Sequence, residues 1–478
     1  AEKLLAVQSD YIRRRFDCSD FYLVYYPYIL RTFGKRGSGI LSEKTENELT
    51  DCLLGFRYWI DEPGNDAMWF WSENHALMFH TCQLLAGELF PDEVFTNSGL
   101  TGRQMQAKAK NMLYDWFVTF RKEGFTEWNS SPYLPIDTLG FGSLYAFAQD
   151  PAMRELGREG MDFAYYLLAV HSQQGIFASS SGRTYIKEQF GNWSNCPSGL
   201  SWIGYGYGVP GHAGKGITSY CLSDYEPPKE FAQWFSIPRG KEMICQTTQG
   251  NDGYVDLYTY KTADYMMTSA NDFHPGEPGH QENPFQLTFN AVAQLWVTHP
   301  GERVLFGAAR PSYWAGNGTL PKVNQYKAFA GLIYDIAPEH PVDFTHLYLP
   351  SMEFDRCEVE GKWAFVQLGS AYAAVYCSNG IRMQDFGSNK DRECIAEGRR
   401  CIWLVRAAQA DEFAAFDDFK AAMRGAALDA DAEGRRYRFV DPVYGELRCQ
   451  WGETLYVNDA PMQYSGFDNY GKLTMQEK

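Results

Sequence analysis

Apolar residues recur three or four positions apart through roughly the first half of the chain, and the period then changes. Segments 11–33, 43–60, 73–90, 102–122, 136–149 and 151–171 carry the helical spacing. Pro91-Asp92 closes one of them, Asn97-Ser98-Gly99 precedes the next, and Glu123-Gly124 ends it. The short connections predict antiparallel helix hairpins, and no repeat of fixed period accompanies them. After Pro227-Pro228 the pattern becomes strand-like. Residues 254–260 alternate as Tyr-Val-Asp-Leu-Tyr-Thr-Tyr, and 265–269, 286–289, 291–298, 363–368, 371–376 and 401–407 are short β-rich runs near Gly, Asn or Pro. One late helix is expected within the Ala/Asp/Phe-rich stretch 408–430. Helices first and strands afterwards predict an α+β multidomain chain, with a helical domain over 1–230 and an antiparallel β-sheet domain over 231–478. Between them, 175–216 is rich in Gly and Ser and reads as active-site loops, where glycine permits tight turns and close approach of a ligand.

Composition narrows the partners. A chain of 478 residues exceeds one ordinary core, which agrees with two domains. The net charge of −16 argues against nucleic acid, and a polyanionic substrate would need a local basic pocket. No apolar run approaches the length of a membrane span, so no membrane partner is expected. The sequence starts at Ala1, which leaves removal of a leader or of a longer N-terminal region open. Eleven cysteines are scattered singly from Cys18 to Cys449 without a Cys-x-x-Cys. Such dispersal reads as free thiols in a reducing compartment, hence a cytoplasmic location, with an exported protein of an anaerobe as the alternative. The spacing holds no structural zinc motif. No cofactor is expected, although scattered carboxylates leave a structural calcium open. The oligomeric state is not set by the sequence. Aromatic residues reach 16%, and rings that stack on sugar faces also fill cores.

Four constellations carry candidate chemistry. In Trp69-Phe70-Trp71-Ser72-Glu73-Asn74-His75, Ser72 suits a helix N-cap and the next three residues its first turn. Free amides and the helix dipole favour an anion there. The Asn74 amide adds donors, and an imidazole moves protons near neutral pH. The plainer reading is a cap with surface polar residues. His80 lies five positions on, about 140° around the helix, so the two histidines make a poor metal clamp. In Glu127-Trp128-Asn129-Ser130-Ser131-Pro132-Tyr133, Asn129 could donate to a substrate oxygen while Trp128 or Tyr133 stacks; an Asx turn with a buried Trp is the alternative. In Gly182-Arg183-Thr184-Tyr185, Arg183 could clamp a carboxylate and favour the phenolate of a nearby Tyr185, because i and i+2 project alike in an extended chain. The Gly-rich stretch with Tyr205, Tyr207 and His212 is a fourth, weaker candidate. His274, His280 and His299 fall near Pro/Gly turns and read as turn chemistry, and Asn317-Gly318-Thr319 fits the glycosylation pattern. A Gly-x-Ser-x-Gly elbow is absent, as is a dinucleotide or phosphate-loop fingerprint.

This layout, with Gly-Phe-Arg-Tyr-Trp-Ile-Asp-Glu-Pro-Gly at 55–64 and Trp-Ser-Glu-Asn-His at 71–75, resembles the toroid polysaccharide lyases, the heparinase-, chondroitin- and alginate-lyase-like proteins. The resemblance implies an N-terminal incomplete (α/α) toroid of helix hairpins followed by an antiparallel β-sandwich. It implies β-elimination on a uronic-acid-containing polysaccharide or oligosaccharide. In that group an Asn, a His, a Tyr and often an Arg carry the reaction, which implies catalytic Asn74, His75, Tyr185 and Arg183, with Glu73, Trp71, Trp128, Asn129, Tyr133, Tyr205, Tyr207 and His212 around the substrate. Tyr133, Tyr205 and Tyr207 stay open as alternatives to Tyr185, and the helix count is low for a full toroid. Two other readings remain. One is a glycoside hydrolase pairing Glu73 with Glu127 or Asp137. The other is a non-catalytic glycan-binding protein.

Overall fold

The computed structural model describes residues 1–66, 68–190, 195–210, 215–250 and 254–478. The chain forms two units, one of residues 1–122, 133–165 and 213–228, the other of 123–132, 166–212 and 229–478.

The first unit is helical. Helices α1 (Glu2–Arg13), α2 (Ser19–Leu23) and α3 (Tyr26–Phe33) replace the single stretch expected over 11–33. Two left-handed residues between α1 and α2, Arg15 at φ 53° and Cys18 at φ 65°, turn the chain out of helix. Pro27 sits in the first turn of α3, where its missing amide costs no hydrogen bond. Helix α4 (Glu43–Gly55) starts where the Thr45 amide donates to Ser42 Oγ, and stops at Phe56, which is extended at ψ 147°.

Helices α5 (Glu73–Leu89), α6 (Gly102–Glu123), α7 (Leu134–Phe147) and α8 (Pro151–Val170) follow the expected segments to within a few residues. Most of α5 is buried on every side, polar residues included, so it is a core helix rather than one with an apolar stripe. Close packing explains Gly140 on α7, because a Cβ there would meet Leu77 Cδ2 of α5 at 2.7 Å. Among the described residues no helix is long and apolar enough to cross a membrane.

The second unit is mainly antiparallel sheet. Its loop region is more ordered than its Gly/Ser content suggests, and holds α9 (Ile186–Gln189) and α10 (Cys196–Tyr205). Pro197 lies in the first turn of α10 and a left-handed Gly206 caps its end. One sheet has nine strands in the order Arg382–Met383, Glu393–Glu397, Phe344–Tyr348, Gln294–Thr298, Phe285–Thr288, Met266–Asn271, Val255–Lys261, Lys241–Gln249, Lys472–Glu477. A second has six, in the order Arg356–Glu360, Trp363–Leu368, Ala371–Cys377, Arg400–Gln409, Phe329–Asp335, Lys322–Tyr326.

Both sheets contribute to one hydrophobic cluster, with Tyr258, Tyr260, Met267 and Leu287 from the first and Phe329, Leu332, Trp403 and Val405 from the second. Burying a side chain such as Phe329 contributes about 1.5–3 kcal/mol. A five-stranded sheet adds Tyr437, Phe439 and Leu447 to that cluster. The late helix spans only Phe416–Gly425 and lays Phe416 and Phe419 against Tyr372. Among the described residues no disulfide joins any of the eleven cysteines.

Candidate functional site

The candidate residues divide between the two units. Trp71, Glu73, Asn74, His75 and Tyr133 belong to the first. Trp128, Asn129, Arg183, Tyr185, Tyr205 and Tyr207 belong to the second. His212 lies outside the described residues.

In the first unit, Ser72 holds the N-cap of α5 with an extended backbone, yet its hydroxyl has no partner among the described residues. Glu73 is half-buried, and its carbonyl accepts the indole N–H of Trp116 at 3.2 Å. Trp71 is exposed and meets the exposed Trp69 edge-on at 5.4 Å between centroids. Trp69 carries a left-handed φ of 53°, rare for a bulky residue. Tyr133 is the half-buried N-cap of α7, and Asp137 is buried in the first turn of that helix.

Asn74 and His75 are both buried in the first turn of α5. His75 Nδ1 lies 2.8 Å from Asp20 Oδ2, and Nε2 lies 3.7 Å from Asp17 Oδ1. Phe21 stacks on the imidazole at 4.9 Å and 9°. Burial opposes charge on His75, but hydrogen bonds to Asp20 and Cys18 and the charges of those two groups prevail, raising its pKa to about 10. Burial pushes Asp20 upward, and the His75 contact pulls it back. The imidazole is therefore fixed in orientation by a buried carboxylate and a ring.

In the second unit, the run from Ala178 to Tyr185 is held against residues 281–288. Ser181 and Asn283 exchange backbone hydrogen bonds of 2.9 and 2.7 Å, the Thr184 amide donates to Gln281 O at 3.0 Å, and Thr288 Oγ1 donates to Ala178 O at 2.8 Å. From the other side, the Gly182 amide donates to Trp128 O at 2.8 Å and Ser130 Oγ to Arg183 O at 3.0 Å. A Cβ on Gly182 would meet Trp128 Nε1 at 2.6 Å, so only glycine lets the two segments approach this closely. Trp128 is buried among Val255, Leu257, Ala270 and Phe273, and its ring forms a wall of the unit.

This scaffold fixes a cationic group. Arg183 Nη2 donates to Tyr185 Oη at 3.4 Å, and Arg183 Nη1 lies 3.6 Å from Glu127 Oε1. The Arg183 and Arg310 guanidiniums lie 5.7 and 5.6 Å from the Tyr185 ring centroid. Burial, then the Arg183 charge, lowers the pKa of the neighbouring His280; Arg310 adds to this and Glu282 opposes it. Arg310 and His280 were not among the expected site residues. Sequence carries only a faint signal for them: His280 is three positions before Asn283, the residue that pairs with Ser181.

Beside this group lies a small polar cavity lined by Asn129, Ser131, Phe177, Thr184, Glu188 and Gln189. Asn129 is 2% exposed with a left-handed φ of 48°, and neither atom of its amide has a hydrogen-bond partner among the described residues. A buried amide in that state is a ready donor and acceptor for whatever enters. Glu188 Oε1 is 3.0 Å from Lys187 Nζ, while Oε2 is unpartnered among the described residues. Tyr205 and Tyr207 pack on Phe235, at 5.3 Å and, stacked, at 4.9 Å. Asn317 is fully buried, accepts from the His299 amide at 2.9 Å and donates to Glu282 O at 3.0 Å, so its glycosylation pattern lies in the interior.

No family model matches the chain, and no curated protein matches it. A solved structure described as "Heparinase III-BT4657 gene product" is similar over 92% of this chain and 70% of its own, at 10% identity and a TM-score of 0.39. Likeness of that depth assigns this chain neither family nor reaction; its chemistry rests on the side chains described above.

Proposed function

We propose that the chain is a polysaccharide lyase that cleaves a uronic-acid-containing glycan by β-elimination, with Tyr185, Arg183, Arg310 and Asn129 at the reacting sugar. One observation carries the reading: a phenol with two guanidiniums within about 6 Å of its ring centroid and its oxygen 3.4 Å from Arg183 Nη2. Guanidiniums grip a carboxylate through paired hydrogen bonds and neutralise it, which makes the adjacent C5 proton removable and stabilises the enolate-like intermediate. Positive charge around a phenol favours the phenolate, the form a base requires.

Tyr185 takes the C5 proton, and the electrons of that bond form the C4–C5 double bond. The C4–O bond breaks, and the phenol returns the proton to the departing glycosidic oxygen. The Asn129 amide adds a neutral donor for the carboxylate, and a neutral His280 offers an acceptor for a sugar hydroxyl. The helical unit would be an incomplete (α/α) toroid and the sheet unit a β-sandwich, the latter supported by the single core that the nine- and six-stranded sheets share.

Incubating the full chain with alginate, glucuronan, pectate and glycosaminoglycans tests the reaction. The expected result is a rise in ultraviolet absorbance from an unsaturated uronate product on one of them. Cleavage that yields only saturated ends would replace the lyase with a hydrolase.

A further inference from the structure

We infer that Asp17, Cys18 and His75 form a binding site for a thiophilic divalent cation, zinc above all, with Asp20 as the residue that orients the imidazole. The inference does not depend on the lyase reading. A ligand atom from each of the three lies within 4.8 Å of the others, the one such set among the described residues. Asp17 and the left-handed Cys18 come from the turn between α1 and α2, whereas His75 comes from the start of α5. No spacing motif joins them.

The groups packed around the imidazole turn this proximity into a site. Asp20 is fully buried and lies 2.8 Å from His75 Nδ1; with Nδ1 as the N–H donor, Nε2 is the nitrogen that gives up its proton to a metal. Nε2 is the nitrogen that faces Asp17, at 3.7 Å. Phe21, stacked flat on the ring, keeps it from tilting away. The second oxygen of Asp20 has no partner among the described residues, so the buried carboxylate depends on positive charge at His75. A metal cation on Nε2 would take the place of the proton there and keep that charge beside Asp20.

Thiolate, imidazole and carboxylate together select zinc or cobalt over magnesium and calcium. Tetrahedral zinc sets such donors about 3.3–3.8 Å apart, given bonds of about 2.0–2.3 Å. Closing to that spacing asks for a shift of at most about 1 Å, in a turn whose Asp17 side chain is 54% exposed. Three protein ligands, with the exposed Asp17 on the solvent side, leave the fourth position to water, the pattern of an open rather than a purely structural site.

The test uses the full chain, freed of metal by a chelator and titrated with Co²⁺ and then Zn²⁺. The expected result is one equivalent of tetrahedral Co²⁺ with a thiolate-to-cobalt absorption band, displaced by zinc. Cys18→Ser should remove that band while leaving the circular dichroism spectrum unchanged. Asp20→Asn should keep the stoichiometry and weaken binding about 10–100-fold. Absence of the band in the parent chain overturns the site, and so does a band that survives Cys18→Ser, which would assign the thiolate to another cysteine. Because absorption and stoichiometry are read rather than turnover, failure here and failure of the lyase reading are separable.

Discussion

The His75 cluster and the Tyr185 cluster use similar parts with opposite charge. Around His75 stand two carboxylates and a thiol, those of Asp17, Asp20 and Cys18. Around Tyr185 stand two guanidiniums, those of Arg183 and Arg310, with Glu127 as a partial offset. Each has an aromatic ring or imidazole at its centre, a turn on one side and a regular element on the other. On the two proposals above, the first would hold a cation and the second an anion. In a chain of net charge −16 the second is a local exception, which is what an acidic substrate requires. The lesson concerns motifs: Arg183 sits two positions from Tyr185, but Arg310, and the Asp17, Cys18 and Asp20 that surround His75, are remote in sequence from the ring they face.

The comparison can be broken most decisively at the phenol. Tyr185→Phe keeps the ring beside its two cations and removes the oxygen, and kcat should fall about 100-fold or more. A variant within about threefold of the parent would remove Tyr185 from the chemistry. Arg310→Ala should come next. Loss of a charged hydrogen bond to the substrate carboxylate, about 1.5–3 kcal/mol, should raise KM about 10–100-fold and spare kcat more than Tyr185→Phe does.

The scaffold under the cationic cluster is tested by Gly182→Ala, whose Cβ would press on the Trp128 indole. A loss of about 1–3 kcal/mol in urea unfolding is expected, with activity falling alongside. Native-like stability would mean that the Trp128 wall yields freely.

A smaller effect concerns pH. The pKa of His280 is lowered in the folded chain, so its neutral form persists below the ordinary imidazole value near 6.5. Any stability tied to neutral His280 is thus present at neutral pH and lost as pH falls through that range. The acid limb of kcat/KM should lie below pH 6.5, and His280→Gln should erase it. A limb that His280→Gln leaves in place belongs to another group. The smallest effect is screening. Added sodium chloride should raise KM for a polyanion by a few-fold through the exposed part of the cationic cluster, while cobalt absorption at the other cluster stays constant.

How much of this could be read beforehand depends on whether the signal was local. The period of α5 through α8 was local, and so was the i, i+2 relation of Arg183 and Tyr185, which an extended Tyr185 at φ −119° and ψ 167° preserves. The break inside 11–33 was hidden because Arg15 and Cys18 take left-handed backbones without being glycine or asparagine. Strand Phe329–Asp335 was hidden because it is buried on both faces and lacks alternation. Arg310 reaches Tyr185, His280 reaches Arg183, and Cys18 reaches His75, only through tertiary structure, so no short window along the chain contains them.

The nine-stranded sheet sets a timetable for synthesis. Its strand Lys241–Gln249 has Lys472–Glu477 as one of its two neighbours, in register from Met243 with Met475 to Gln246 with Lys472. On the ribosome that edge must wait, unpaired, while the six-stranded sheet and the late helix are translated. Such long-range pairing is slow, and an open strand edge invites association with other nascent chains. The chain therefore passes through a stage in which most of its core is made and one seam is still open, and this is where a chaperone would do the most for its yield.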